Sequence, residues 1–170
     1  MANIFSFRRD DSPDDKVNIS DLGTEALLHV LLLAASSLAE TRSQKRLTVW
    51  LAEHERRTGR HDLGFCIANM PWDAASFEED RQFMVRTVDA ASQKTGWDKL
   101  GYIPKAQHLM PMLGWFRKCF MRLKAEDTDP KYLEAWLANM DDDDPALNGF
   151  PRCKRHGVYL TWLGCQICGK

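Results

Sequence analysis

The last eighteen residues of the chain hold three of its five cysteines. From position 151 the sequence reads PRCKRHGVYLTWLGCQICGK. Cys153 and His156 are separated by two residues, Cys165 and Cys168 likewise, and eight residues lie between the pairs. Two close pairs of thiol and imidazole ligands suit a four-coordinate, tetrahedral structural zinc site. Each short pair forms a tight knuckle that turns backbone N–H groups toward sulfur while both side chains reach one ion. Gly157, Gly164 and Gly169 flank the pairs, where tight turns are needed. The cofactor expected is one structural Zn2+ per chain, held by Cys153, His156, Cys165 and Cys168. Four protein ligands leave no open coordination position, so a catalytic zinc is disfavoured.

The spacing resembles the knuckle pattern of zinc ribbons and related small zinc folds. The likeness covers only the last eighteen residues and implies a metal site, not an activity. Between the pairs, Val158, Leu160 and Trp162 alternate with Tyr159, Thr161 and Leu163, which predicts a short β-hairpin. A redox role for Cys165-x-x-Cys168 wants a βαβ context that this sequence lacks. Five is an odd number, so a fully paired disulfide framework within one chain is excluded. Cys66 lies between Phe65 and Ile67, and Cys119 sits inside an aromatic helix stripe. Both read as packing thiols.

Other residue types with chemical potential fall short of a constellation. His54 and His61 each precede an acid, but they are seven apart with Gly59 between them. A hydrolytic metal helix would place two histidines four apart with a glutamate. Cys66 with His61 is the one nucleophile–base pairing the region around 54–72 offers. The run Arg42–Arg60 carries six bases and two acids, the mark of a solvated helix face or of a surface for an acidic partner. Residues 151–170 contain four bases and no acid, whereas 126–144 contain eight acids and one lysine. Three thiolates around Zn2+ would carry a net charge of −1, which nearby cations offset. With 23 Lys+Arg against 24 Asp+Glu and a pI near 6.5, the whole chain is no basic nucleic-acid coat.

The elements that must position these residues read as helices. Residues 1–19 are polar and are expected to form a mobile tail, with Ile4, Phe5 and Phe7 available to dock. Residues 20–140 form a helical domain. Leu27, Leu31, Ala34 and Leu38 make one stripe after a cap at Asp21 or Thr24, and Leu47, Trp50, Leu51 and His54 a second. Ser76 with Glu79 predicts a capping box before Phe77, Met84, Val88 and Ala91. Leu109, Leu113, Phe116, Phe120 and Leu123 form a fourth stripe, with a kink or a start near Pro111. Asp129 and Pro130 open a fifth helix that buries Leu133, Trp136, Leu137 and Met140. An acidic linker, 141–150, leads to the zinc-binding module, 151–170. The fold class expected is mainly α, a bundle of about five helices closed by a small C-terminal zinc-knuckle hairpin. The longest apolar run, Ala26 to Leu38, falls short of the about twenty residues a membrane helix needs. No signal-like apolar core follows the N-terminus. A soluble cytoplasmic protein with reduced thiols and no membrane contact is the expectation.

Function follows from the closed metal site and the missing catalytic set. The first reading is a non-enzymatic protein that binds another protein, as an adaptor, regulator or immunity-type inhibitor does. Trp72, Trp97 and Tyr102 in the connectors, together with Arg42, Arg46, Arg56 and Arg57, are the candidate contact residues. The alternative is a nucleic-acid-binding regulator using the basic helix or the basic tail. An enzyme built around residues 54–72 ranks last.

Overall fold

The computed structural model describes residues 2–9, 12–55 and 64–168. Its N-terminal segment is the first departure from the sequence expectation. Instead of a mobile tail, strands β1 (Ala2–Ser6) and β2 (Lys16–Ser20) pair antiparallel, with Ala2 opposite Ser20 and Ser6 opposite Lys16. Phe5 and Phe7 are buried, and Ile4 faces solvent. The segment around residue 65 runs alongside β1. The Ser6 N–H donates to the Phe65 carbonyl at 3.1 Å, and the Ala68 N–H to the Phe7 carbonyl at 3.0 Å. Gly64 permits this approach: a Cβ there would fall 1.7 Å from the Ile4 carbonyl oxygen. Arg8 pairs with Asp127 at 3.1 Å and Arg122 pairs with Asp15. Both guanidinium groups lie over the Phe7 ring, at 5.1 and 4.0 Å. The ribbon is tied down by contacts remote in sequence.

Five helices follow: α1 (Asp21–Leu38), α2 (Arg42–Glu55), α3 (Phe77–Ser92), α4 (Ala106–Arg122) and α5 (Tyr132–Ala138). The described chain is mainly helical, as the apolar stripes require. Ser20 rather than Asp21 or Thr24 caps α1, its Oγ accepting the Gly23 N–H at 3.2 Å. By length and composition α1 could cross a membrane, but most of it is buried inside the fold, packed by α2, α3 and α4. At α2, Thr41 Oγ1 accepts the Gln44 N–H at 3.2 Å, and Gln44 Oε1 accepts the Thr41 N–H at 3.4 Å. That reciprocal pair is a capping box. The stripe Leu109, Leu113, Phe116, Phe120 and Leu123 is buried throughout. α4 begins at Ala106, so Pro111 lies inside it. α5 departs from expectation. It starts after a turn at Asp129, and its stripe residues Leu133, Trp136 and Leu137 are only half-buried, as is Met140 just beyond it. Trp136 Nε1 donates to Glu53 at 3.0 Å and holds the helix against α2.

The capping box expected at α3 is replaced by a buried carboxylate. Ser76 makes no side-chain cap; its Oγ donates to Asp80 Oδ2 at 2.8 Å, and Ser43 Oγ of α2 donates to the same oxygen. Asp80 is fully buried, and its Oδ1 has no hydrogen-bond partner among the described residues. Burial pushes the Asp80 carboxyl above its ordinary value. The two hydroxyl donors oppose the shift, and Asp73 and Glu79 add to it. The folded state therefore binds this proton more tightly than the unfolded chain does. Stability from this group falls as pH rises from the ordinary carboxylate range, about 4, through the raised value. Asp80→Asn keeps an acceptor for both hydroxyls and removes the ionisation. Urea unfolding between pH 4 and 7 should show wild type losing stability relative to Asp80→Asn across that window. Asp80→Ala, which leaves both hydroxyls without their acceptor, should cost about 1–3 kcal/mol.

Candidate metal centre

The C-terminal residues form turns seated on the helices. Val158, Tyr159 and Ile167 are buried in the main core, as is Ala146 in the segment expected as a linker. The Tyr159 N–H donates to Ser36 Oγ of α1 at 3.2 Å, an anchor invisible in local sequence. In place of a continuous hairpin, this region has two isolated antiparallel bridges, Arg152 with Tyr159 and Thr161 with Gly164. The strand-like alternation does not carry into burial. Val158, Tyr159 and Thr161 all face inward, while Trp162 and Leu163 are exposed at the tip of a turn.

Each ligand pair sits on its own turn. In the first, the Gly157 N–H donates to the Cys153 carbonyl at 2.8 Å, and the Cys153 N–H to the Val158 carbonyl at 2.8 Å. The His156 N–H donates to Cys153 Sγ at 3.5 Å, a bond that favours the thiolate form. Just before Cys165, reciprocal bonds between Thr161 and Gly164, at 3.1 and 2.8 Å, close a tight turn between the two pairs. Gln166 Nε2 braces it with a 2.8 Å bond to Thr161 Oγ1. Gly157 and Gly164 both take left-handed backbone angles, φ of 69° and 88°.

These turns bring together the four residues singled out by spacing. The ligand atoms of Cys153, His156, Cys165 and Cys168 all lie within 4.8 Å of one another. His156 is buried and turns Nδ1 to all three sulfurs, at 3.7 Å from Cys153, 3.5 Å from Cys165 and 3.3 Å from Cys168. Cys153 Sγ and Cys168 Sγ are 3.5 Å apart, too far for a disulfide. A tetrahedral ion bonded at about 2.3 Å to sulfur and about 2.0–2.1 Å to nitrogen spans edges of about 3.8 Å and about 3.6 Å. The cluster has the size of a cage for one such ion.

The electrostatics of the three thiols are uneven. Burial raises the Cys153 thiol, but the His156 and Arg155 backbone N–H groups, helped by the Cys165 and Cys168 side chains, outweigh it and bring it down to about 6. Burial pushes the Cys165 thiol up to about 11, with the neighbouring Cys153 and Cys168 adding to the shift and the Cys168 and Ile167 N–H groups opposing it. A negative charge on Cys153 penalises a second one on Cys165 beside it.

The other candidates disperse. His54 is buried, with Nδ1 2.8 Å from the Trp50 carbonyl and its ring 3.8 Å from the Trp50 ring. Cys66 is half-buried, and its Sγ lies 3.5 Å from the Phe7 carbonyl oxygen. His61, Arg56 and Arg57 lie outside the described residues. Trp72 and Trp97, expected as contact residues, are core side chains: Trp72 donates to the Ile67 carbonyl at 2.9 Å, and neither offers a face to a partner. Arg46 is half-buried; burial, reinforced by Arg42, lowers its pKa against the opposing pull of Asp73. Arg42 is exposed, and Tyr102 is partly so, its hydroxyl 2.9 Å from His29 Nδ1. Compared with family models, curated proteins and solved structures, the chain matches none.

Gly164 offers a clean test of the tight turn that precedes Cys165. A Cβ there would meet nothing within 4 Å, so any penalty is backbone strain alone. Gly164→Ala should cost about 1–3 kcal/mol. Gly164→Asn should cost less, because Asn tolerates the left-handed region. Thermal melts of the two variants should rank wild type, then Asn, then Ala.

Proposed function

We propose that this chain is a non-enzymatic binding protein whose C-terminal module is folded by one structural zinc ion. The observation that carries this reading is the four-ligand cage. Three thiolates and one imidazole form a donor set suited to zinc, and four protein ligands leave no position for water or substrate. The zinc knuckle and its short hairpin belong to this proposal, as does a reducing cytoplasmic setting in which the thiols stay free for metal. The tail is short, and with Val158, Tyr159 and Ile167 packed on the helices, metal binding adds to that packing in holding its turns closed. Function then lies in contact with another protein.

Metal analysis of protein purified from zinc-supplemented cells should give close to one zinc per chain. Cys165→Ser combined with Cys168→Ser should abolish that zinc, lower the melting temperature and open the segment after 150 to protease. Well under half an equivalent in wild type, or an unchanged melt and digestion pattern in the double variant, refutes the zinc staple.

Trp162 is 68% exposed, and Lys154 and Arg155 are exposed in the same acid-free segment, which supports the nucleic-acid reading as the second choice. An aromatic face flanked by cations can stack one base of a single strand. Fluorescence titration with single-stranded oligonucleotides at low salt, comparing wild type with Trp162→Phe to isolate the Trp162 signal among six tryptophans, separates the two. Under the protein-binding reading no salt-sensitive quenching occurs.

A further inference from the structure

The four clustered residues differ in how far solvent reaches them. His156 is buried, Cys153 and Cys165 are half-buried, and Cys168 is exposed. Cys168 Sγ also lies 3.5 Å from Cys153 Sγ, although the two belong to different turns, fifteen residues apart in sequence. A disulfide needs about 2.05 Å between sulfurs, so the gap to close is about 1.5 Å.

Thiolate character and exposure together decide which cysteine an oxidant attacks. Metal ligation supplies the first to all three sulfurs of the cage. Cys168 alone among them has the second. Such an attack needs no open coordination position, because it falls on sulfur and not on the metal. The remaining thiols are placed differently. Cys119 is buried, Cys66 is half-buried, and neither belongs to the sulfur cluster.

We propose that the cage is a peroxide-sensitive latch, in which a hydroperoxide oxidises Cys168, Cys153 resolves it, and the tail exchanges its metal for a Cys153–Cys168 disulfide. The inference rests on the zinc reading above and adds a regulation of that same site. The Cys168 thiolate attacks one oxygen of hydrogen peroxide, the O–O bond breaks, and Cys168 sulfenic acid and hydroxide form. The Cys153 thiolate then attacks the Cys168 sulfur, the S–O bond breaks, and the disulfide and a second hydroxide form. Two thiolates give up two electrons, peroxide takes them, and two protons from solvent turn the hydroxides into water. Cys165 and His156 remain, two donors where a structural site needs four. A small thiol reverses the change by exchange through a mixed disulfide. Val158, Tyr159 and Ile167 are packed in the core by contacts that involve no metal, so the tail stays docked while its two turns rearrange.

The test treats the full zinc-loaded chain with increasing hydrogen peroxide and follows zinc with a chromogenic chelator. Close to one zinc per chain should be released, with one peroxide consumed for each, and a small thiol with added zinc should restore the bound metal. Tryptic mapping reads the bond, because Lys154 and Arg155 put Cys153 in a different peptide from Cys165 and Cys168. Cys153 should be found joined to Cys168. Cys168→His keeps a four-donor set and removes the exposed sulfur, so it should hold zinc and release it at least tenfold more slowly. If that variant binds no zinc, release and mapping in wild type decide alone. Zinc retained through excess peroxide, a Cys165–Cys168 bond, or over-oxidised Cys168 without a disulfide overturns the latch and leaves the staple standing. Absence of zinc before any peroxide is added overturns the staple and the latch together.

Discussion

Three thiols and one imidazole with their ligand atoms inside 4.8 Å are a constraint that the C-terminal end of the chain must satisfy. Without a cation among them the sulfurs are unequal: burial, with its two sulfur neighbours adding, holds Cys165 near 11, while backbone N–H groups outweigh burial at Cys153 and bring it near 6. A divalent ion at the centre removes the conflict, because it favours the thiolate form at every ligand together. The turns are shaped for that outcome. Backbone N–H groups face sulfur, both glycines adopt left-handed angles, and His156 commits Nδ1 to the cluster.

The cage would matter less if the tail hung free of the body, but it does not. Tyr159 is hydrogen-bonded to Ser36 of α1, and Val158, Ile167 and Ala146 join the same core as the helices. A loss of metal would therefore be felt in the packing over the end of α1 as well as in the turns. The other end of α1 borders a groove shared with the start of α4.

The helices were legible because their signal is local. A stripe such as Leu109, Leu113, Phe116 and Phe120 can be seen within four turns, and burial follows it. The four clustered residues were legible for a related reason: the members of each pair are three residues apart, close enough for one turn to bring them together. What sequence reasoning missed depends on distant partners. The N-terminal ribbon is held by Phe65, Ala68, Asp127 and Arg122, and nothing within residues 1–19 announces them. Ser76 had the pattern of a capping box, but the buried Asp80 one residue beyond Glu79 takes its hydroxyl instead. Connector tryptophans resemble contact residues in any sequence. Trp72 and Trp97 turned inward, where large apolar area is most stabilising, and left Tyr102 with Ile103 outside.

X-ray absorption at the zinc K-edge of the purified, zinc-replete protein examines the central claim at the ligands themselves. The account predicts three sulfur scatterers at about 2.3 Å and one nitrogen at about 2.0–2.1 Å, with no bound water. A first shell dominated by oxygen or nitrogen, or a sulfur count below three, would contradict it.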